Sequence, residues 1–102
     1  RLHFNHAFDP LVRIFRESED PEVRSTALES LGQIPSLEAG DFLVEVLRHE
    51  QEPLRSNAKR LLSSFENRDF FPILRQQVEM EAEPVRSELI DILRLAGHFV
   101  PA

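Results

Sequence analysis

His3 and His6 stand three residues apart, so on a helix they would share one face and could offer two imidazoles to a divalent metal. Two ligands leave a tetrahedral site half built, and the spacing reads better as packing or solvent-facing histidines. His49-Glu50 is a second candidate. The acids Glu79, Glu81 and Glu83 of EMEAEPVRSE are a third, a run that could draw a calcium ion or a basic peptide. Their alternation with Met80 and Ala82 does not follow the ligand spacing of a calcium loop, so the run reads as a solvated helix end. With no cysteine in the chain, thiolate metal sites, disulfides and cysteine nucleophiles are excluded. No nucleophile, base and orienting group can be assembled into a catalytic set. The expectation is of a non-enzyme with no metal and no cofactor.

Composition narrows the partners. At 102 residues, 41% hydrophobic and 29% charged, the chain has the make-up of one small folded domain rather than a disordered segment. Twelve Lys and Arg against 18 Asp and Glu give a net charge of -6, which repels a phosphate backbone and argues against nucleic acid. No apolar run approaches the ~18 residues of a membrane span, and no signal-like segment opens the chain. A soluble, cytoplasmic protein is expected.

The elements that would position any site repeat along the chain. DPEVRSTALESLGQI, EPLRSNAKRLLSSF and EPVRSELIDILRLA align with a period of 31 residues, placing Val23, Leu54 and Val85 in one column and Arg24, Arg55 and Arg86 in the next. Ala27, Ala58 and Leu89 share a further column, as do Leu31, Leu62 and Leu93. Counted from the valine column, apolar residues fall at offsets 0, 4, 7, 8 and 11 in the second and third copies, which is one stripe of a helix. Pro21, Pro53 and Pro84 suit a first helical turn, and the acids Asp20, Glu52 and Glu83 suit the positive end of the helix dipole. These are the B helices. FDPLVRIFRES, GDFLVEVLRHE and RDFFPILRQQVEM, with i,i+4 apolar pairs such as Phe42 and Val46, supply an A helix before each, and turns are expected near Gly32 to Gly40, Asn67 and Gly97. The fold class is all-α: three helical hairpins, at about residues 7–35, 36–67 and 68–98, form one repeat domain over 1–102. The ends, Arg1 and GHFVPA, read as those of a piece of a longer array.

DPEVRSTALESLG resembles the B-helix signature of HEAT repeats, especially the short HEAT-like class of phycobilisome-lyase-type proteins. Later copies depart from it: Ser63 stands in the Gly32 column, Leu89 in that of Ala27, and the proline moves one place nearer the valine column. The resemblance implies an α-α superhelix, with Arg24, Arg55 and Arg86 packing along the helix ridge and tying neighbouring repeats to acids or carbonyls. HEAT-like deoxyhypusine hydroxylases bind two irons through His-Glu pairs after the Val-Arg step. Here those places hold Ser25-Thr26, Ser56-Asn57 and Ser87-Glu88, and His49-Glu50 falls elsewhere. Nothing singles out bilin-lyase chemistry, and without Trp or Tyr the chain lacks the aromatics that HEAT-like DNA glycosylases use on an extruded base.

What remains is a displayed surface. Offsets 2, 5, 6 and 9 of each B helix point away from the core stripe at about 100° per residue. They give a strip of Leu28 and Glu29, then Lys59 and Arg60, then Ile90, Asp91 and Arg94, with small residues between. On the concave face of stacked hairpins this strip suits protein recognition, the basic pair engaging an acidic segment and Leu28 and Ile90 giving apolar contact. A protein-interaction or scaffolding module is expected, its partner another protein or another domain of the same chain. The alternative is a regulatory or substrate-binding segment of a multidomain enzyme.

Overall fold

A computed structural model describes residues 8–97, and these form six α-helices and no strand. In order they are α1 (Phe8–Glu17), α2 (Pro21–Gly32), α3 (Leu37–His49), α4 (Leu54–Ser63), α5 (Phe70–Val78) and α6 (Val85–Leu95). Each odd helix pairs with the even helix after it, and the even helices stack in file, α2 against α4 and α4 against α6. This is the expected solenoid of three A–B hairpins.

Local chemistry explains where the helices begin. Pro21 occupies the first turn of α2, and the Asp20 carboxylate accepts from the Glu22 N–H at 2.9 Å. In the later copies the proline sits one place nearer the valine column but just outside the helix, at the N-cap, where it offers no side-chain acceptor. The preceding glutamate, one methylene longer, reaches over it. Glu52 Oε1 accepts from Ser56 N–H at 3.0 Å and from its hydroxyl at 2.6 Å, and Glu83 does the same with Ser87 at 3.1 and 2.6 Å. These bonds, the serine hydroxyl first and the backbone N–H second, lower both carboxyl pKa values.

α3 starts three residues before Gly40, where the sequence suggested a turn. Ser36 is its N-cap, accepting from Ala39 N–H at 3.1 Å, and Gly40 lies inside the helix. Gly40 is there for close approach: a Cβ would stand 2.8 Å from the Phe70 ring. Gly32 has the same duty on the B side, since its Cβ would meet Leu61 Cδ2 at 2.7 Å.

The core runs unbroken through the three units. Leu31, Leu62 and Leu93 of one column are all fully buried, together with Leu43, Leu47, Phe70, Phe71 and Leu74 from the A helices. Phe42 bridges the first two A helices through edge-on contact with Phe15, ring centroids 5.4 Å apart. The valine column is graded instead: Val23 is 40% exposed, Leu54 8%, and Val85 packs half-buried on the core. Equal places in the repeat become unequal because α2 has no helix stacked on its outer side among the described residues.

Candidate protein-binding surface

The B-helix strip has a different character from the one its sequence suggests. Leu28 is fully buried and Ile90 half-buried against the core, so neither is an exposed aliphatic contact. The reason is geometric. Offsets 1, 5 and 9 are spaced four apart and form a ridge directed sideways at the next hairpin, not outward. On α2 that ridge is Arg24, Leu28 and Gly32, and Gly32 lies against Leu61 of α4.

The basic pair is likewise occupied within the chain. Lys59 Nζ donates to Asp91 Oδ2 at 3.2 Å, and Arg60 pairs with Glu29, tying α4 to the helices on both sides. Glu29, Arg60 and Asp91 share one column, so charge alternates along it. A free basic patch for an acidic partner is not what this arrangement presents. Of the strip, Arg94 alone combines exposure with no carboxylate partner among the described residues.

The arginine column divides as well. Arg24 Nε donates to Phe15 O at 2.8 Å, its guanidinium lies 4.4 Å from the Phe15 ring centroid, and Nη2 reaches Glu50 at 3.0 Å in the next unit. Arg55 pairs forward with Glu88. Arg86 is exposed and forms no ion pair among the described residues, its charge reaching only the nearby Glu83 carboxylate, whose pKa it helps lower. A second tie was not anticipated. Arg48 at the end of α3 bonds Glu45 within its helix and Glu81 beyond α5, with Nε to Glu81 at 2.8 Å. Glu81 holds the Arg48 guanidinium pKa above its ordinary value, against the effect of burial. Glu81 is therefore no solvated acid; its one sequence signal was its column, 31 residues from Glu50.

His49 ends α3, exposed, with Nε2 3.1 Å from Glu45. Among the described residues no three His, Asp or Glu side chains gather in a way that could hold a metal ion. His3 and His6 lie outside the described residues.

The surface left open is on the outer side of the first hairpin. A groove of about 360 Å³ runs between α1 and α2, lined by Leu11, Ile14, Val23, Thr26, Ala27 and Ser30, with Asp20 and Glu22 at its rim. Ile14 is 43% exposed and Val23 40%, both large apolar side chains. The groove exists because Ser30 stands in the column of Leu61 and Ile92, which are buried beneath the preceding B helix. With a small residue there, the outer face of α2 keeps a hollow.

No helix among the described residues is long and apolar enough to cross a membrane. No curated protein and no solved structure matches the chain. The family model described as HEAT repeats matches residues 8–94, nearly the whole described length, and with its three stacked hairpins the chain belongs to that family.

Proposed function

We propose that the chain is a protein-interaction module that binds its partner through the α1–α2 groove. Repeats of this family commonly serve as protein-interaction scaffolds. The observation that carries the reading is the groove itself: two large apolar side chains, Ile14 and Val23, stand with 43% and 40% of their surface in water beside a hollow. Desolvating them on a partner is an apolar gain. The acids at the rim favour a partner with basic residues flanking an apolar anchor. That partner is another protein or another domain of the same polypeptide.

Catalysis has less support: Glu50, Glu52, Glu81, Lys59 and Asp91 are engaged in caps and inter-helix ion pairs. Photo-crosslinking tests the binding site. A photoreactive residue at Thr26, inside the groove, should label discrete proteins in an extract of the native cells, whereas the same group at exposed Gln76 should not. Equal labelling patterns at the two positions would remove the groove from consideration.

A further inference from the structure

Column by column, the α1–α2 groove and the outer ridge of α6 match the two halves of the interface that already joins the hairpins. That internal interface has a register. The arginine at offset 1 of one B helix donates to an acid of the following unit, Arg24 to Glu50 four places before the valine column and Arg55 to Glu88 three places after it, and the first of these pairings is the template used below. The residue at offset 5 packs or pairs onto the next B helix, as Leu28 and Lys59 do, and offset 9 lies over offset 7, as Gly32 does over Leu61.

On α6 the same ridge is Arg86, Ile90 and Arg94: two exposed arginines outside any ion pair among the described residues, Arg86 acting only at longer range on Glu83, flanking a half-buried isoleucine. The receiving side is on the first hairpin. Glu19 occupies the column of Glu50, which pairs with Arg24 of the preceding B helix, and of Glu81, which pairs with Arg48 of the preceding A helix, yet Glu19 is exposed and forms no ion pair among the described residues. Beside it Asp20 and Glu22 rim the groove, and Thr26 and Ser30 leave the room that an apolar side chain would fill.

We propose that the chain associates head to tail with a second copy of itself, the Arg86–Ile90–Arg94 ridge of one copy docking into the α1–α2 groove of the next. Arg86 takes Glu19, Ile90 enters the hollow by Thr26 and Ser30, and Arg94 lies over Ser30. Like charges approach at two places. Asp91 and Glu29 of the next copy each already hold a cation, Lys59 and Arg60, and Arg94 stands beside them, while Glu79, in the column of Arg48, approaches Glu19 of the next copy, where Arg86 offsets it. Because the contact joins two different faces, it does not close on a dimer but adds copies in file. The inference rests on the groove's being a binding surface and names what fills it.

Light scattering on the purified chain, from micromolar to millimolar concentration, provides the test. The mass of the wild type should rise past that of a dimer as concentration increases. Glu19→Arg and Arg86→Glu, both at exposed positions outside any ion pair among the described residues, should each keep a wild-type circular dichroism spectrum and associate about tenfold more weakly or worse. Mixed in equal amounts they should associate like the wild type, since each then presents the charge the other lacks. A wild type that stays monomeric, an association that stops at the dimer, single variants that associate as the wild type does, or a mixture no better than its components would each overturn the proposal. A second measurement does not depend on charge. In this cysteine-free chain, a thiol-reactive bismaleimide with a spacer of about 10 Å, longer than the ~7 Å a disulfide spans, should join a mixture of Glu19→Cys and Arg86→Cys into a mixed pair, and its absence would also overturn it. If self-association fails while Thr26 still labels a different protein in extract, only the identity of the occupant falls; if that labelling fails too, so does the groove as a binding site.

Discussion

Arg24 and Arg86 share a column and differ in everything that surrounds them. Arg24 has a carbonyl, a carboxylate and an aromatic face, supplied by two hairpins. Removing it by Arg24→Ala leaves the Phe15 carbonyl and Glu50 without their donor, a loss of about 1–3 kcal/mol for hydrogen bonds to a charged group. Arg86→Ala removes no ion pair, and chemical denaturation of the monomer should place it within about 0.5 kcal/mol of the wild type. Arg55 is intermediate: it pairs with Glu88, but its Nε is buried with no partner, since the carbonyl matching that of Phe15, on Val46, is taken by Glu50 N–H. Lys59 and Arg60 belong to the same scale. Their partners make Lys59→Glu with Arg60→Glu a change from two attractions to two repulsions. Because these pairs are largely exposed, each contributes only ~0.2–1 kcal/mol, and the double reversal should lower stability by on the order of 1 kcal/mol. Unchanged stability in denaturant would mean that the pairs are not formed in solution.

At the scale of the helix, the sequence carries most of the fold and less of the surface. Period, prolines and apolar stripe place all six helices, because each of those signals is local: a cap acts within one turn and a stripe within one helix. The face that Leu28 occupies is set by the crossing of α2 over α4, a relation between helices that no single helix's periodicity contains. The same holds for Arg48, whose partner Glu81 comes from the next hairpin. Gly40 was misread for a related reason: it looks like a turn residue in one dimension and serves a ring from α5 in three. The glutamate caps are local enough to predict from. Glu52 and Glu83 titrate lower folded than unfolded, so their contribution is fully present above the ordinary carboxylate range and is lost as pH falls through the lowered folded values. Thermal melts should show Glu52→Gln with Glu83→Gln less stable than the wild type at neutral pH, the gap closing below about pH 4. A gap independent of pH would assign the loss to something other than the charged caps.

Across the whole molecule, position in the file decides what an apolar residue is worth. The hairpins contact only their neighbours, so α4 is flanked by α2 and α6 while α2 has a helix stacked on one side only among the described residues. Leu62, at the centre of α4 and fully buried, loses both its transfer energy and the space it filled on truncation, and Leu62→Ala should cost about 2–5 kcal/mol. Val23 belongs to the same amphipathic stripe of the repeat but is 40% exposed, and Val23→Ala should cost well under 1 kcal/mol. Hydrogen exchange should follow the same gradient, with amides of α4 opening only near the global unfolding energy and those of α1 and the first turn of α2 exchanging earlier. The two measurements constrain each other when made in dilute protein, where the outer face of α2 is free. Raising the concentration into the range where copies associate should slow exchange along α1 and α2 and leave α4 unchanged, because only the uncovered groove gains a neighbour. Slowing spread evenly over all six helices would instead indicate global stabilisation without contact at that groove.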